Sequence, residues 1–159
     1  MSWRRYCATA EDTKIAGEEF AAVLRAGDVV LLSGRLGNGK TTFTQGVARG
    51  LGVSERVTSP TFTMVRQHRC ANEAGITTLH HADVYRVESL EEVRDLALGE
   101  LVEESAVAIV EWGEIASSVF GRDVISVDFV LDEDEGRTLE VNGALANDRT
   151  ALLDEWASR

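Results

Sequence analysis

The stretch VVLLSGRLGNGKTTF, which begins at Val29, constrains the fold more than any other part of the chain. Its first residues form a short, continuously apolar run, which is typical of strands buried on both faces of a parallel sheet. From Lys40 onward, apolar residues recur every four positions, at Phe43, Val47 and Leu51, which predicts a helix over this segment. The glycine-rich turn must therefore connect a core strand directly to a helix.

The turn itself, Gly34 to Thr41, fits the pattern G-x-x-x-x-G-K-[ST] of the phosphate-binding P-loop. Glycines permit positive φ angles, so backbone N–H groups can point inward and, with the positive end of the following helix, attract a polyanion. We expect Lys40 to bridge the β- and γ-phosphates and the Thr41 hydroxyl to bind Mg²⁺. At average residue usage about one window in 30,000 matches by chance. The predicted phosphate-binding residues are Gly34, Leu36, Gly37, Asn38, Gly39, Lys40, Thr41 and Thr42.

Hydrolysis needs further groups, usually a carboxylate at the end of a neighbouring strand. Two carboxylates end strand-like segments. Glu111 terminates the apolar run AVAIVEW, in a position that resembles a Walker B acid, and Asp83 lies in LHHADVYR. We predict that they hold the metal or orient the attacking water; the alternative is that each is an ordinary solvated charge at a strand end.

The adjacent histidines His80 and His81, close to Asp83, invite a zinc interpretation. Neighbouring residues on a strand point to opposite faces of the sheet, however, which makes joint chelation by the two rings awkward. We therefore interpret this segment as a polar strand rather than as a zinc site.

Hydroxyl groups surround the single proline of the chain, at Thr58, Ser59 and Thr61. Pro60 has a fixed φ and pushes the preceding residue into an extended conformation, so the loop is stiffened. Such a loop is suited to sensing a γ-phosphate, as switch loops do. A plain turn into a strand is an equally good interpretation.

Hydrophobic periodicity predicts further elements on both sides of the P-loop. Thr9 and Asp12 have the spacing of a capping box, and two β-prone stretches around a turn occur twice, which indicates hairpins. Together the patterns predict an α/β protein with a P-loop NTPase fold, a mixed, mostly parallel sheet flanked by helices, and added antiparallel hairpins, in one domain over residues 1–159. The predicted elements are helices over 10–25, 89–97 and 148–157, the last burying Leu152, Leu153 and Trp156, a buried strand over 106–112, and hairpins of 61–70 with 76–86 and 123–131 with 137–143.

Net charge, apolar runs and cysteines indicate which partners and which cellular compartment the protein has. The formal net charge is −11 and no basic run occurs, whereas direct binding to a nucleic-acid backbone normally needs a basic patch. No apolar run reaches the roughly 18 residues of a membrane span, and the N-terminus lacks the apolar part of a signal peptide. Cys7 and Cys70 lack metal or redox spacing and are predicted to be reduced, half-buried thiols. We expect a cytoplasmic protein that contacts no membrane.

Other P-loop classes fit this chain less well. A guanine-reading motif like N-K-x-D is missing, which disfavours a GTPase, and the arginines are scattered rather than gathered into the lid of a small-molecule kinase. A small-molecule phosphotransferase and a nucleotide-gated adaptor without turnover stay open as alternatives to an ATPase.

Five motifs follow one another along the chain: SGRLGNGKTTFTQGVARGLG, VTSPTFTMV, LHHADVYR, IVEW and EGRTLEV. This order resembles the TsaE family, also called YjeE, the small bacterial P-loop ATPase of tRNA threonylcarbamoyladenosine (t6A) synthesis. The resemblance extends from Thr13 to Arg137, nearly the whole chain. It implies a P-loop α/β fold with a mixed sheet, and an ATPase that joins the TsaD and TsaB proteins, resets their complex by ATP turnover and meets tRNA only indirectly through it. An acidic chain that leaves RNA to its partners agrees with the net charge.

The resemblance also implies catalytic roles. Thr41, Asp83 and Glu111 would hold or organise Mg²⁺ and the attacking water. Lys40 and the loop amides would take the phosphates of ATP or ADP.

Residues outside the P-loop are implied as well. Thr13 and Arg137 would lie near the nucleotide, and the SPTF and EW segments look like switches, which places Trp112 beside the site. Two departures from the family pattern occur: Arg35 replaces an acid after the first P-loop glycine and adds a cation, and Gly113 replaces a common proline, which leaves that turn freer.

Overall fold

A seven-stranded mixed β-sheet, flanked by helices, organises the fold. The computed structural model describes residues 2–35, 39–60, 65–84, 91, 105–112, 124–145 and 147–159. In chain order the elements are β1 (Ser2–Cys7), α1 (Ala10–Phe20), a 3₁₀ helix (Ala21–Val23), β2 (Val29–Gly34), α2 (Lys40–Gly50), β3 (Val65–Arg69), β4 (Thr78–Asp83), β5 (Ala106–Glu111), β6 (Ile125–Leu131), β7 (Arg137–Asn142) and α3 (Asn147–Ala157).

The strand order across the sheet is β1-β7-β6-β2-β5-β4-β3. Strand β2 lies in the middle and pairs in parallel with both β5 and β6, and β4 pairs in parallel with β5. Strands β1, β3 and β7 are antiparallel to their neighbours. The predicted mixed sheet with a parallel centre and antiparallel additions is therefore confirmed. Because the carboxyl ends of parallel strands meet at one edge, β2, β4 and β5 end side by side.

The central strands are apolar because both of their faces are covered. Val30 and Leu32 of β2 and Ile109 of β5 are fully buried, as expected for parallel strands with helices against the sheet. On α2 the apolar stripe buries Phe43 and Val47 completely. The predictions of a core strand before the glycine turn, a helix after it and a second apolar strand at 106–112 are confirmed to within a residue.

Helix α1 begins where the sequence predicts and ends earlier. The Thr9 side chain accepts from the Asp12 amide and the Asp12 side chain accepts from the Thr9 amide, so the capping box is formed. The α-helix stops at Phe20 and tightens into the 3₁₀ turn, after which Leu24 is extended. The predicted helix over 10–25 is therefore too long, because buried apolar residues continue the pattern in a different backbone conformation.

Strand β1 is missing from the sequence prediction. Its burial alternates, with Trp3, Arg5 and Cys7 facing the core. The inward position of Arg5 hides the alternation, because a buried cation is rare unless it is paired. Arg5 is paired: its guanidinium donates to the Glu19 carboxylate and to the carbonyl oxygen of Trp156.

The two hairpins are confirmed in the parts that the structure describes. Strands β3 and β4 pair antiparallel, with Val65 opposite Ala82, and β6 and β7 pair antiparallel, with Leu131 opposite Arg137. Some predicted residues lie outside the described ranges: 61–64 and 85–86 of the first hairpin, 123 of the second hairpin, and the helix predicted over 89–97 apart from residue 91.

Helix α3 closes the fold against α1 and β1. Leu153 and Trp156 are buried, and the Trp156 indole donates to the carbonyl oxygen of Ala16. Leu152 is 38% exposed, so its prediction as a core residue is wrong: it lies one position before the buried stripe. Within the described ranges no helix is long and apolar enough to span a membrane.

Both cysteines are free thiols, and both are buried rather than half-buried. Burial raises the pKa of the Cys70 thiol to about 11 and is the main cause of the raised pKa of Cys7. Thiols that stay protonated at neutral pH are poor nucleophiles. The two cysteines therefore act as small apolar core residues.

Helices α1 and α2 approach each other closely through glycines. A Cβ atom added to Gly17 would lie 2.2 Å from the carbonyl oxygen of Phe43, and one added to Gly46 would lie 2.0 Å from the carbonyl oxygen of Lys14. Neither distance is compatible with a side chain. This backbone contact fixes α2, and α2 carries Lys40 at its first position.

We predict that Gly46→Ala destabilises the protein. At an open helical position alanine would stabilise, but here the methyl group collides with backbone, and overpacking of this kind costs about 1–3 kcal/mol. Urea unfolding measures the change. The control is Arg49→Ala on the same helix, whose ion pair with Glu18 is exposed on both sides and contributes less than about 1 kcal/mol. A Gly46→Ala variant as stable as the original chain would contradict the close contact.

Candidate functional site

A cavity of about 440 Å³ opens where β4 and β5 end and helix α2 begins. Ligands of open α/β sheets bind at this edge, outside the carboxyl ends of the parallel strands. Its walls combine hydroxyls, carboxylates and cations. This mixture of charges suits a polyanion and a metal better than an apolar ligand.

Two positions within the P-loop, Gly34 and Gly39, have backbone conformations that favour glycine. Gly34, the last residue of β2, has φ 141°, and an added Cβ would lie 2.8 Å from the carbonyl oxygen of Phe129. Gly39 has φ 95°, precedes α2 and caps it without a side-chain hydrogen bond. The amide end of α2 is therefore not covered by a capping side chain, and its partial positive charge is directed at the cavity.

Lys40 is a buried cation at the cavity wall. Its Nζ donates to the carbonyl oxygens of Gly34 at 2.8 Å and Arg35 at 3.0 Å, and it lies 4.0 Å from the centre of the Trp112 ring. A desolvated ammonium is stabilised by such dipoles and by the negative face of an indole. Trp112 has φ 63°, an uncommon conformation for a bulky residue and one found at functional sites.

Glu111 connects the sheet to the P-loop. It is 3% exposed at the end of β5, and its Oε1 accepts from the Thr41 hydroxyl at 2.8 Å. Its Oε2 is hydrogen bonded to Nε2 of His81, whose ring is fully buried. The carboxylate is thus held on both sides, by the first turn of α2 and by strand β4.

Asp83 lies directly opposite Glu111 in the pairing of β4 with β5. Its Oδ2 accepts from the Ser59 hydroxyl at 3.1 Å, so the loop before Pro60 reaches the same edge of the sheet. Two carboxylates and two hydroxyls, from Ser59 and Thr41, therefore meet around the cavity. These oxygen donors are the kind that Mg²⁺ prefers.

Arg137, at the start of β7, supplies a second cation to the cavity. Its Nη1 lies near Gly39, 2.8 Å from the place where a Cβ on that glycine would be. Thr13 is fully buried on α1, and its hydroxyl donates to the carbonyl oxygen of Thr9 at 3.3 Å. Thr13 supports Gly39 from behind rather than lining the cavity.

The structure brings together most of the residues predicted from the sequence. Gly34 lies at the end of β2 and accepts a hydrogen bond from Lys40 of the cavity wall, and Thr13 packs against Gly39. Leu36, Gly37 and Asn38 fall outside the described residues. The predicted residues that line the cavity are Gly39, Lys40, Thr41, Thr42, Asp83, Glu111, Trp112 and Arg137.

The chain matches the model of a known protein family over most of its length. The family model described as "Threonylcarbamoyl adenosine biosynthesis protein TsaE" matches residues 7–139. The chain belongs to the TsaE family. The match contains every residue predicted for the site, from Thr13 to Arg137, so the resemblance noted in the sequence is confirmed.

Individual TsaE relatives match over most of their length. The "tRNA threonylcarbamoyladenosine biosynthesis protein TsaE" of Bacillus subtilis is 35% identical over 159 residues, which cover 100% of this chain and 94% of the relative. The protein of the same description from Treponema pallidum is 38% identical over 133 residues, 84% of this chain and 95% of the relative. The crystal structure of Bacillus subtilis YdiB superposes with a TM-score of 0.71 at 30% identity, covering 99% of this chain and 94% of that one.

One contact in this TsaE chain escaped the sequence analysis, the pairing of His81 with Glu111. The sequence suggested only one role for His81, as a possible zinc ligand beside His80. The available signal was its position two residues before Asp83, which puts both side chains on the same face of β4.

We predict that Lys40 and Trp112 are energetically coupled without nucleotide. A double-mutant cycle of Lys40→Met, Trp112→Leu and the double variant should give a coupling of about 0.5–2 kcal/mol in urea unfolding, because the ammonium lies over the ring. Leucine keeps a side chain at the left-handed position, so backbone strain is retained. Lys40→Met combined with Leu152→Ala on the exposed side of α3 should be additive. An additive Lys40–Trp112 cycle would rule out the contact.

Proposed function

We propose that this chain is a Mg²⁺-dependent ATPase that supports t6A modification of tRNA by acting on a TsaD–TsaB complex. The observation that carries the proposal is the 2.8 Å hydrogen bond from the Thr41 hydroxyl to Glu111. It joins a P-loop residue to a strand-end carboxylate in one cavity, which is the arrangement that nucleotide hydrolysis requires. Relatives described as t6A biosynthesis proteins support the pathway.

The phosphates would bind at the amide end of α2. Lys40 holds its ammonium against two loop carbonyls and the Trp112 ring, and a triphosphate would compete for it as a stronger, fully charged partner. Arg137, which lines the same cavity with its guanidinium near Gly39, would add a second cation. Release of Lys40 from Trp112 would then accompany nucleotide binding.

The residues around the cavity fit Mg²⁺. Thr41, Asp83 and Glu111 offer hydroxyl and carboxylate oxygens, the hard donors that this ion prefers, and Mg²⁺ usually takes only one or two carboxylates and completes its shell with phosphates and water. Bound there, the ion would neutralise charge that develops between the β- and γ-phosphates.

The attacking water would be oriented by Glu111, with Asp83 as the second carboxylate. Glu111 is buried and held in place, so it would order a water molecule with little loss of freedom during the reaction. Attack on the γ-phosphorus breaks its bond to the bridging oxygen and gives ADP and inorganic phosphate. Ser59, bonded to Asp83, would couple the loop before Pro60 to the state of the site.

A partner would supply the contact with RNA. The chain carries a net charge of −11, which opposes direct binding to a phosphate backbone. We therefore assign tRNA contact to TsaD and TsaB, with residues 1–159 acting as one cytoplasmic ATPase domain whose nucleotide state controls docking.

Binding and turnover should separate in two variants. Lys40→Ala should weaken ATP binding by at least about 100-fold, because it removes a charged phosphate contact. Glu111→Ala should keep ATP binding and lower kcat by about 100-fold or more, because the water loses its orienting group. Calorimetric titration measures the first effect and phosphate release the second.

Lys14→Ala is the matched control, since Lys14 is the only other lysine of the chain and lies on α1 outside the cavity lining. Unchanged ATP affinity in Lys40→Ala would overturn the site. Normal hydrolysis by Glu111→Ala would move the water-orienting role to Asp83. Phosphate transfer to a small acceptor, instead of release, would favour a kinase.

Docking on TsaD and TsaB should depend on the nucleotide. In a pull-down, the amount captured should differ between ATP, ADP and no nucleotide. When ATP is added, Glu111→Ala should stay at the capture level of the ATP-bound protein, because it hydrolyses ATP too slowly to reach the ADP-bound state. Lys40→Ala should give one level of capture under all conditions. Equal capture of the original chain under all three would contradict nucleotide control, and nucleotide-dependent capture without any hydrolysis would favour an adaptor.

A further inference from the structure

His81 is a fully buried polar side chain that contacts Glu111 of the proposed site. Its relative exposure is 0%, and its Nε2 is hydrogen bonded to Oε2 of Glu111. We propose that His81 is a positioning residue that locks the Glu111 carboxylate in the orientation needed to align the attacking water. The inference rests on the proposed ATPase function and assigns to that site a residue that touches neither nucleotide nor metal.

Sheet register places His81 where it can reach Glu111. Asp83 pairs with Glu111 across β4 and β5, and His81 pairs with Ile109. Side chains two positions apart on a strand share a face, so His81 lies diagonally from Glu111 on the face that carries both carboxylates. The contact is therefore a product of the parallel pairing.

The two oxygens of Glu111 have different partners. Oε1 accepts from the Thr41 hydroxyl at the cavity, and Oε2 is bonded to the imidazole on the core side. A carboxylate that is 3% exposed needs partners for both oxygens. With Oε2 held by His81, the carboxylate cannot rotate freely, and Oε1 is the oxygen presented to Thr41, a water molecule or a metal.

The other ring nitrogen identifies the tautomer. Nδ1 of His81 is buried without a hydrogen-bond partner among the described residues. A buried N–H is rarely left unpaired, whereas an unpaired acceptor is better tolerated. The proton therefore belongs on Nε2, and the neutral imidazole donates it to Glu111.

A second buried histidine provides a control within the same chain. His68 on β3 is 4% exposed and is bonded through Nδ1 to Glu55 at 2.6 Å. Glu55 is 58% exposed and does not line the nucleotide cavity. Substitution of His68 therefore shows how much a buried histidine–carboxylate contact contributes to stability when the contact lies outside the proposed site.

The kinetic test compares His81→Leu, His81→Gln and His68→Leu. Removal of a residue that orients another at an active site typically costs about 10–100-fold in activity, so His81→Leu should lower kcat by that factor while KM and the separately measured affinity for Mg-ADP stay nearly unchanged. His81→Gln keeps an N–H donor and should recover most of the loss. His68→Leu should lower thermal stability with kcat unchanged.

A second test, which needs no ATP turnover, detects the ring proton of His81 directly. In protein labelled with ¹⁵N-histidine, NMR should show His81 as the neutral Nε2-protonated tautomer, with an exchange-protected N–H signal that is lost in His81→Gln and displaced in Glu111→Gln. The His68 signals should be unaffected by Glu111→Gln. This measurement remains informative if a substitution at position 81 prevents folding.

The outcomes separate the two claims. No hydrolysis by the original chain, alone or with TsaD and TsaB, would overturn the proposed function. Normal hydrolysis with an unchanged kcat in His81→Leu, equal losses in folded His81→Leu and His81→Gln, or an Nδ1-protonated His81 would overturn the positioning role alone. A selective fall in kcat with recovery in His81→Gln would establish it.

Discussion

Parallel pairing of β2 with β5, and of β5 with β4, is the constraint on which the site depends. It makes the strands end at one edge, so the P-loop, Glu111 and Asp83 come together although they are far apart in sequence. The pairing is maintained by burial, since residues such as Leu32 and Ile109 are fully enclosed and each large apolar side chain contributes about 1.5–3 kcal/mol. The same register that buries these residues aligns the carboxylates, so stability and site geometry share one cause.

The glycine contact between α1 and α2 fixes the position of α2, which the strand pairing alone does not set. Gly17 and Gly46 let the two backbones meet, and the position of α2 along the sheet then sets where Lys40 and Thr41 lie relative to β5. Thr13, one turn before Gly17, packs behind Gly39. Thr13 therefore packs against a residue of the cavity wall without lining the cavity itself.

Local patterns in the sequence predicted much of what depends on neighbours along the chain, although not the early end of α1 at Phe20. The strand–turn–helix around Gly34, both hairpins in their described parts and the Thr9 capping box needed no tertiary information. Strand β1 was hidden because Arg5 faces the core, where a long-range partner, Glu19, neutralises it. The site divides in the same way: the strand-end acids were identified by position, whereas the pairing of His81 with Glu111 depends on the register between two strands.

The charges of the cavity bear on how its ligands would enter. Lys40, Arg137, Asp83 and Glu111 line one cavity, so two cations and two carboxylates are both present before a ligand arrives. A bare triphosphate would gain from the two cations and the helix end but would be repelled by the two carboxylates at short range. A divalent ion placed between the carboxylates and the phosphates removes this repulsion and inverts the local electrostatics. Under the proposed function, nucleotide and metal would therefore bind cooperatively. The carboxylates attract the metal but repel a nucleotide that binds alone, and the cations attract the nucleotide but repel a metal that binds alone.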